Sequence, residues 1–456
     1  MRCFEQGAKI HDYRVGAGKE VYSSIVFVIC LPLPFSMRRV LVIAYYFPPM
    51  GLSGVQRTLK LVKYFPKFHW MPTVLTVTST GYFAKDESLL KEIVPLGIEV
   101  VRTNSFDPNR LFRKQEVVKM PAERTRKILS RISDSIFVPD NKIGWRGPAL
   151  KKATELLRKE KFDAIFATAP PQTDFLIGKA LKEKFRLPLM IDYRDSWVDY
   201  PFKFYPTPLH KYANYRMEKG VLHVADAIIV ASRRTKELLL RRYKFLTYND
   251  VQIISQGFDP EDMKISASVK LPRIEKMRIT YSGVFYEDRT PEYFLEALHL
   301  VYKNNAKLRG RIEACFIGAF REEHQKIVSR LGLQNSVNVL GYLDHAECIR
   351  YLLASDVLWM MMGDDKSSPG KIFEYIGAKK KILACLPQGM MRSIIEEAGG
   401  ICVEPRDVPK IAEAIISLYE QYERRQLRGP RPEIVDKYNR ITLAGEVAKT
   451  LSALTD

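Results

Sequence analysis

The stretch Ser368-Pro369-Gly370-Lys371-Ile372-Phe373-Glu374-Tyr375 runs from a turn into a helical pattern. Free amides and the positive end of a helix attract a phosphate, and Lys371 adds a full charge. Glu374, one turn in, has no use for a phosphate; it suits hydroxyl donors such as a ribose diol. Lysine for phosphate and glutamate for sugar together describe a nucleoside diphosphate, with Ser368 and Gly370 in the turn beside it. The plain alternative is a capped helix with an i, i+3 ion pair.

Three further groups could carry chemistry. "IDYRDSW" places Asp192, Arg194 and Asp195 at a strand end. Two carboxylates flanking a guanidinium suit positioning or polarising an acceptor hydroxyl, or stabilising leaving-group charge; otherwise they pin the loop. Gly51, Ser53 and Gly54 follow a strand and precede a helix, where backbone amides can approach a phosphate. Their spacing matches neither the dinucleotide fingerprint nor a Walker loop, and a tight turn would look the same. Gly283 ends another strand, and Arg289 stands just before the proline-started helix at Pro291. An arginine there can reach a diphosphate, or simply be solvated.

The elements that must position these residues alternate. "RRVLVIAYYFPP" is an apolar run stopped by two prolines, and "TVLTVTS", "IEVVRT", "DAIFATAPPQT", "LPLMIDYRDSW", "ADAIIVAS" and "VQIISQGFD" follow with helical patterns between them. The rhythm restarts near Met277 with "MRITYSG", "RIEACFIGA", "VNVLGYL", "DVLWMMMG", "KILACLP" and "GICVEP". This is the signature of parallel sheets covered by helices, and two such halves imply two doubly wound, Rossmann-like domains facing a cleft. The expected division is 37–260, a polar linker 261–276, 277–425, and a C-terminal helical segment 426–456.

The chain has 456 residues and a formal net charge of +20, which favours anionic partners. Its six cysteines and seven histidines are scattered, which argues against a zinc site or disulfide framework and fits a reducing cytoplasm. Residues 21–37 are uncharged but short for a span and carry Pro32 and Pro34, so 1–36 reads as an extension outside the fold. Segment 110–132 has eight Lys/Arg against two Glu, with Ile128, Leu129 and Ile132 near its end. It suits an anionic leaflet, or a solvated basic helix. No aromatic-interleaved basic reader points to nucleic acid.

Taken in order, "YYFPPMGLSGVQR", "FATAPPQT", "IDYRDSW", "ADAIIVAS", "SQGFDPED", "YSGVFYEDRTPEYFLEAL", "FIGAF", "LGYLDHAECIRYLLASDV" and "SPGKIFEYIGAKKKILA" resemble the GT-B-fold retaining glycosyltransferases. That large family (family 4-like, or group 1) includes bacterial lipopolysaccharide and capsule enzymes. The resemblance covers Met37 to about Arg425. It implies a UDP- or GDP-linked sugar on the second domain, an acceptor on the first, and transfer to a glycan or lipid-linked acceptor in surface polysaccharide synthesis. It further implies catalysis without metal or cofactor, in the cytoplasm or on the inner face of the plasma membrane. Glu374 matches the family's ribose-binding glutamate, and Gly51 and Gly54 its phosphate and acceptor loop. Three departures stand out. Lys366, with Asp364 and Asp365 beside it, occupies the place of a second glutamate. Arg194-Asp195 stands where many members have His-Asp. Arg289 substitutes in an incomplete diphosphate-binding pair. The alternatives are a catalytically impaired nucleotide-sugar binder or a GT-B epimerase.

Overall fold

The computed structural model describes residues 37–456 apart from 52, 79–85, 109–122, 269–270, 272–273, 286–288 and 364–369. The expectations placed on 1–36, on 110–122, on Ser368 and on Lys366, Asp364 and Asp365 therefore lie outside the described residues. Met37–Asp456 forms one compact unit.

Within it, seven strands make the first sheet: β1 (Arg38–Ile43), β2 (Trp70–Val77), β3 (Glu99–Thr103), β4 (Ala164–Ala169), β5 (Leu189–Tyr193), β6 (Ala227–Val230) and β7 (Val251–Ile253). Six make the second: β8 (Met277–Ser282), β9 (Ile312–Ile317), β10 (Val337–Gly341), β11 (Val357–Met361), β12 (Lys381–Cys385) and β13 (Ile401–Val403). Their orders are β3-β2-β1-β4-β5-β6-β7 and β10-β9-β8-β11-β12-β13, and every pairing between strands is parallel. The protein thus has the two-sheet, Rossmann-like architecture expected from the sequence.

Helices cover both faces, so the strands are buried on both sides and read as unbroken apolar runs. β11 shows this residue by residue. Val357, Trp359 and Met361 join one core, while Leu358 and Met360 join another on the opposite face. In the first sheet, Val40 to Ile43 are fully buried, as are Ala164 to Ala167 at the centre of the sheet. In such sheets, ligands gather beyond the carboxyl ends of the strands, which here carry the loops singled out above.

The chain passes between the sheets at 254–259 and returns at 438–440. The two passages touch. Phe258 N donates to Tyr438 O at 3.0 Å, and Arg440 N donates to Phe258 O at 3.0 Å. A side chain on Gly257 would come within 2.4 Å of Tyr438 O and 2.7 Å of Leu443, so only glycine lets the passages lie this close. The closing helix, Arg440–Ala453, then packs on the first sheet: Leu443, Ala444, Val447 and Leu451 are buried in its core. Trp70 Nε1 donates to Ser452 Oγ at 3.1 Å and seals that contact. Among the described residues no helix is long and apolar enough to cross a membrane.

Candidate active site

Beyond β1, the opening helix Ser53–Tyr64 carries Arg57 inward. Its guanidinium meets Asp192, the fourth residue of β5, with Nε–Oδ2 at 3.0 Å and Nη2–Oδ1 at 2.8 Å, both groups buried. Thr168 Oγ1 adds a hydrogen bond to Asp192 Oδ2 at 2.9 Å. Arg57 also donates to Ser255 O at 2.7 Å and Ile254 O at 2.9 Å. The sequence suggests Asp192 as one of the acceptor-side acids; instead, its oxygens are spent holding the opening helix to β5 and to the passage after β7. A carboxylate so enclosed and so fully paired positions a loop and does not meet a substrate.

Arg194 also works through the backbone. Its Nη1 donates to Gly54 O and its Nη2 to Pro170 O, which ties together the loops after β1, β4 and β5. Nε finds no acceptor among the described residues. Burial pushes the guanidinium below its usual range, against Asp192 and Asp195. Asp195 is the exposed member of the trio, with Arg194 half-buried. The surrounding protein raises its carboxyl above the ordinary range, and Arg194 pulls the other way. The loop behind it is fixed from below. Glu218, buried on the helix Pro208–Leu222, accepts from Val198 N at 3.3 Å and Tyr243 OH at 2.7 Å. Of the glycine loop, Gly51 is buried, Ser53 begins the helix and Gly54 is exposed.

Polar groups with no sequence signature gather beside this trio. Asp174, fully buried in the first turn of the helix Thr173–Phe185, accepts from Tyr45 N at 2.9 Å, while its other oxygen finds no donor among the described residues. Burial holds this carboxyl well above its usual range. Asp140 caps the same helix through Thr173 N and Oγ1, both at 2.9 Å. Tyr46 lies among these acids, its phenol pushed up by burial and by Asp140.

On the second sheet the candidate residues converge on the end of β8. The helix Lys371–Gly377 lies over it, with Tyr375 OH accepting from Ser282 N at 3.0 Å and Lys371 Nζ donating to Ser282 Oγ at 3.2 Å. Lys371 is exposed along its length, yet the protein packed about its ammonium lowers it below the usual lysine range; Glu374 opposes this, and Arg289 pushes it further down. Arg289 and Lys371 are therefore electrostatic neighbours. The helix has only seven residues, so these two cations outweigh its dipole. Glu374 is half-buried, and among the described residues no hydrogen-bond donor meets its carboxylate. Gly370 is exposed, with open space where a side chain would stand. At the end of β8, Gly283 has φ of +155° and abuts Gly318, whose Cβ would come within 2.1 Å of Gly283 O.

The two halves meet at Arg440. It donates to Gly257 O at 2.9 Å and to Gln56 O at 3.1 Å, in the first turn of the opening helix. Burial and the neighbouring Arg57 lower its guanidinium to about 10, while Asp259 and Glu374 act against them. Arg440 thus ties the passage between the sheets to the opening helix. One cluster there looks like a metal site. The oxygens of Glu92, Asp259 and Asp262 lie within 4.8 Å of one another. Two lysines stand among them: the Lys60 ammonium is 2.6 Å from Glu92, 2.6 Å from Asp259 and 3.2 Å from Asp262, and that of Lys63 is 2.9 Å from both Glu92 and Asp259.

Residues 265–430 match the family described as glycosyl transferases group 1, and residues 87–262 match glycosyltransferase family 4. The protein is a GT-B glycosyltransferase. Solved structures agree on the fold. One is Anabaena Alr3699/HepE in complex with UDP and glucose, at a TM-score of 0.58 and 16% identity, with 91% of this chain and 100% of that one covered. A glycosyltransferase from Rickettsia africae gives 0.57 and 15%, covering 92% and 99%. The lipopolysaccharide outer core galactosyltransferase WaaB gives 0.55 and 11%, covering 91% and 99%. No curated protein matches the glycosyltransferase by sequence. Its two matched regions divide near the passage at 254–259, so each carries one of the two residue groups: Asp192, Arg194 and Asp195 in the first, Lys371, Arg289 and Glu374 in the second.

Proposed function

We propose that the protein transfers a sugar from a nucleoside diphosphate-sugar, UDP- or GDP-linked, to a glycan or lipid-linked acceptor in surface polysaccharide synthesis. The reaction retains anomeric configuration, needs neither metal nor cofactor, and takes place in the cytoplasm at the inner face of the plasma membrane. The observation that carries the donor half is Glu374: a half-buried carboxylate that meets no donor among the described residues, on the same helical turn as Lys371 and near Arg289. A ribose diol offers the hydroxyls that Glu374 lacks. The diphosphate, which gains charge as the sugar leaves, is met by Lys371 and Arg289, fixed where that charge develops. The solved relatives with UDP and with UDP-glucose support the same donor class.

On the first domain, Asp195 orients and polarises the acceptor hydroxyl. Arg194 and Asp192 hold its loop. A thermal-shift screen across UDP-, GDP- and dTDP-sugars, followed by transfer assays with the sugar that stabilises best, tests this reading. Stabilisation by none of them would refute it. The second reading, a nucleotide-sugar binder without turnover, draws on Lys366 in place of the family's second glutamate; binding without transfer or hydrolysis would favour it.

A further inference from the structure

The helix Glu123–Ile136 presents an apolar stripe to solvent. Ile128, Leu129, Ile132 and Ile136 are all exposed, Ile136 by 66%. Positions 128, 132 and 136 recur every four residues and stand on one face, with 129 beside them. A packed helix would bury this face. The segment that follows the Asp195 loop extends the surface. Phe202 is 59% exposed and Leu209 76%, with Tyr200, Phe204 and Tyr212 also exposed.

The two pieces are joined. Phe204 N donates to Asp134 Oδ2 at 3.3 Å, the Arg131 guanidinium lies 5.5 Å from the centre of the Phe204 ring, and His210 Nε2 is 3.2 Å from Ser135 O. Soluble chains rarely leave so many large apolar groups together in water, and such patches mark interaction surfaces. The charge around this one is positive. Asp134 faces inward to Phe204, while Arg131 and the exposed Lys211 accompany the stripe. In sequence, Arg110, Arg113, Lys114 and Lys119 precede it against Glu116 alone.

We propose that this surface, the 123–136 helix together with segment 200–212, lies in the headgroup region of an anionic bilayer. An amphipathic helix with an apolar face and basic flanks binds there through buried apolar area and attraction to anionic lipid. Segment 200–212 is continuous with the loop of Asp195, so docking brings that loop to the bilayer, where a lipid-linked acceptor resides. Only this last point rests on the acceptor proposed above; the binding itself does not.

The test is sedimentation of the full chain with vesicles of phosphatidylcholine alone or with about a third phosphatidylglycerol, without donor or acceptor. The expected result is binding to the anionic vesicles that weakens in high salt and at least a tenfold loss in the double variant Ile132→Glu, Ile136→Glu. Phe202→Ser, on the neighbouring segment, should weaken binding several-fold. Melting temperature and stabilisation by nucleotide-sugars should stay as in the parent, which separates this result from the fate of the donor site. Equal sedimentation of parent and variants, or none by the parent, overturns the proposal. So does a parent that is dimeric in solution and becomes monomeric in the variants, which would assign the patch to a second copy of the chain.

Discussion

Phe258 and Gly377 touch so closely that a methyl group on Gly377 would come within 2.4 Å of the Phe258 ring. One belongs to the passage between the sheets and the other to the helix that carries Lys371 and Glu374. The missing side chain lets the hinge and this helix form one packed body. Gly377→Ala is expected to destabilise the protein by about 1–3 kcal/mol through overpacking, outweighing the gain in helix propensity. Urea unfolding measures it. Phe258→Leu in the same chain should recover part of the loss.

Glu374→Ala should weaken nucleotide-sugar binding by about 1.5–3 kcal/mol, the range for a hydrogen bond to a charged group. Because no protein donor meets this carboxylate among the described residues, the melting temperature of the free protein should hardly move. Calorimetric titration with the best donor decides the matter; an unchanged affinity would remove Glu374 from the ribose.

Lys371 supplies a pH dependence. Its ammonium is held below the usual lysine range, chiefly by the protein packed about it. It therefore loses its proton at a lower pH than a solvated lysine, and with it the charge that meets the diphosphate. Inhibition by free UDP or GDP should fade as the pH rises through this lowered value, and the fading should be absent in Lys371→Arg. A parent whose inhibition is flat up to the ordinary lysine range would contradict the assignment.

Asp195→Asn should lower turnover by roughly 10²–10⁴-fold, the usual contribution of a positioned acid or base, while donor affinity stays near that of the parent. Steady-state kinetics on a defined acceptor separates the two. Intact turnover would show that the acceptor is handled elsewhere.

Glu218 offers a stability test beneath the same loop. Burial raises its carboxyl from 4.5 to about 7. The folded state thus holds a proton that the unfolded state releases between those values. The stabilisation is full below the unfolded value and is lost as the pH rises through about 7; the shift corresponds to roughly 3 kcal/mol. Comparing the parent with Glu218→Gln between pH 5 and 8 isolates this contribution. The parent should lose stability relative to the variant as the pH rises.

Much of this was legible because the strands are buried on both faces. Val40 to Ile43 and Val357 to Met361 are continuous apolar runs whose ends could be read directly. Lys371 and Glu374 were legible as a pair because both lie on one turn. Asp192 misled, because its partner Arg57 is distant in sequence and the two meet only when β5 and the opening helix stack. Tyr46, Asp140 and Asp174 gave no signal at all: each is an ordinary residue until three loops converge. The apolar stripe from Ile128 to Ile136 was half visible, and its neighbour at 200–212 was hidden among turn-forming residues.

The placement of Leu443, Val447 and Leu451 also bears on how the protein is made. The core that Val40 begins is completed by side chains near the far end of the chain. During synthesis the ribosome delivers the whole second sheet before those side chains emerge. The first lobe therefore finishes last, and a chain halted after the second sheet would leave an apolar trough open to chaperones and proteases.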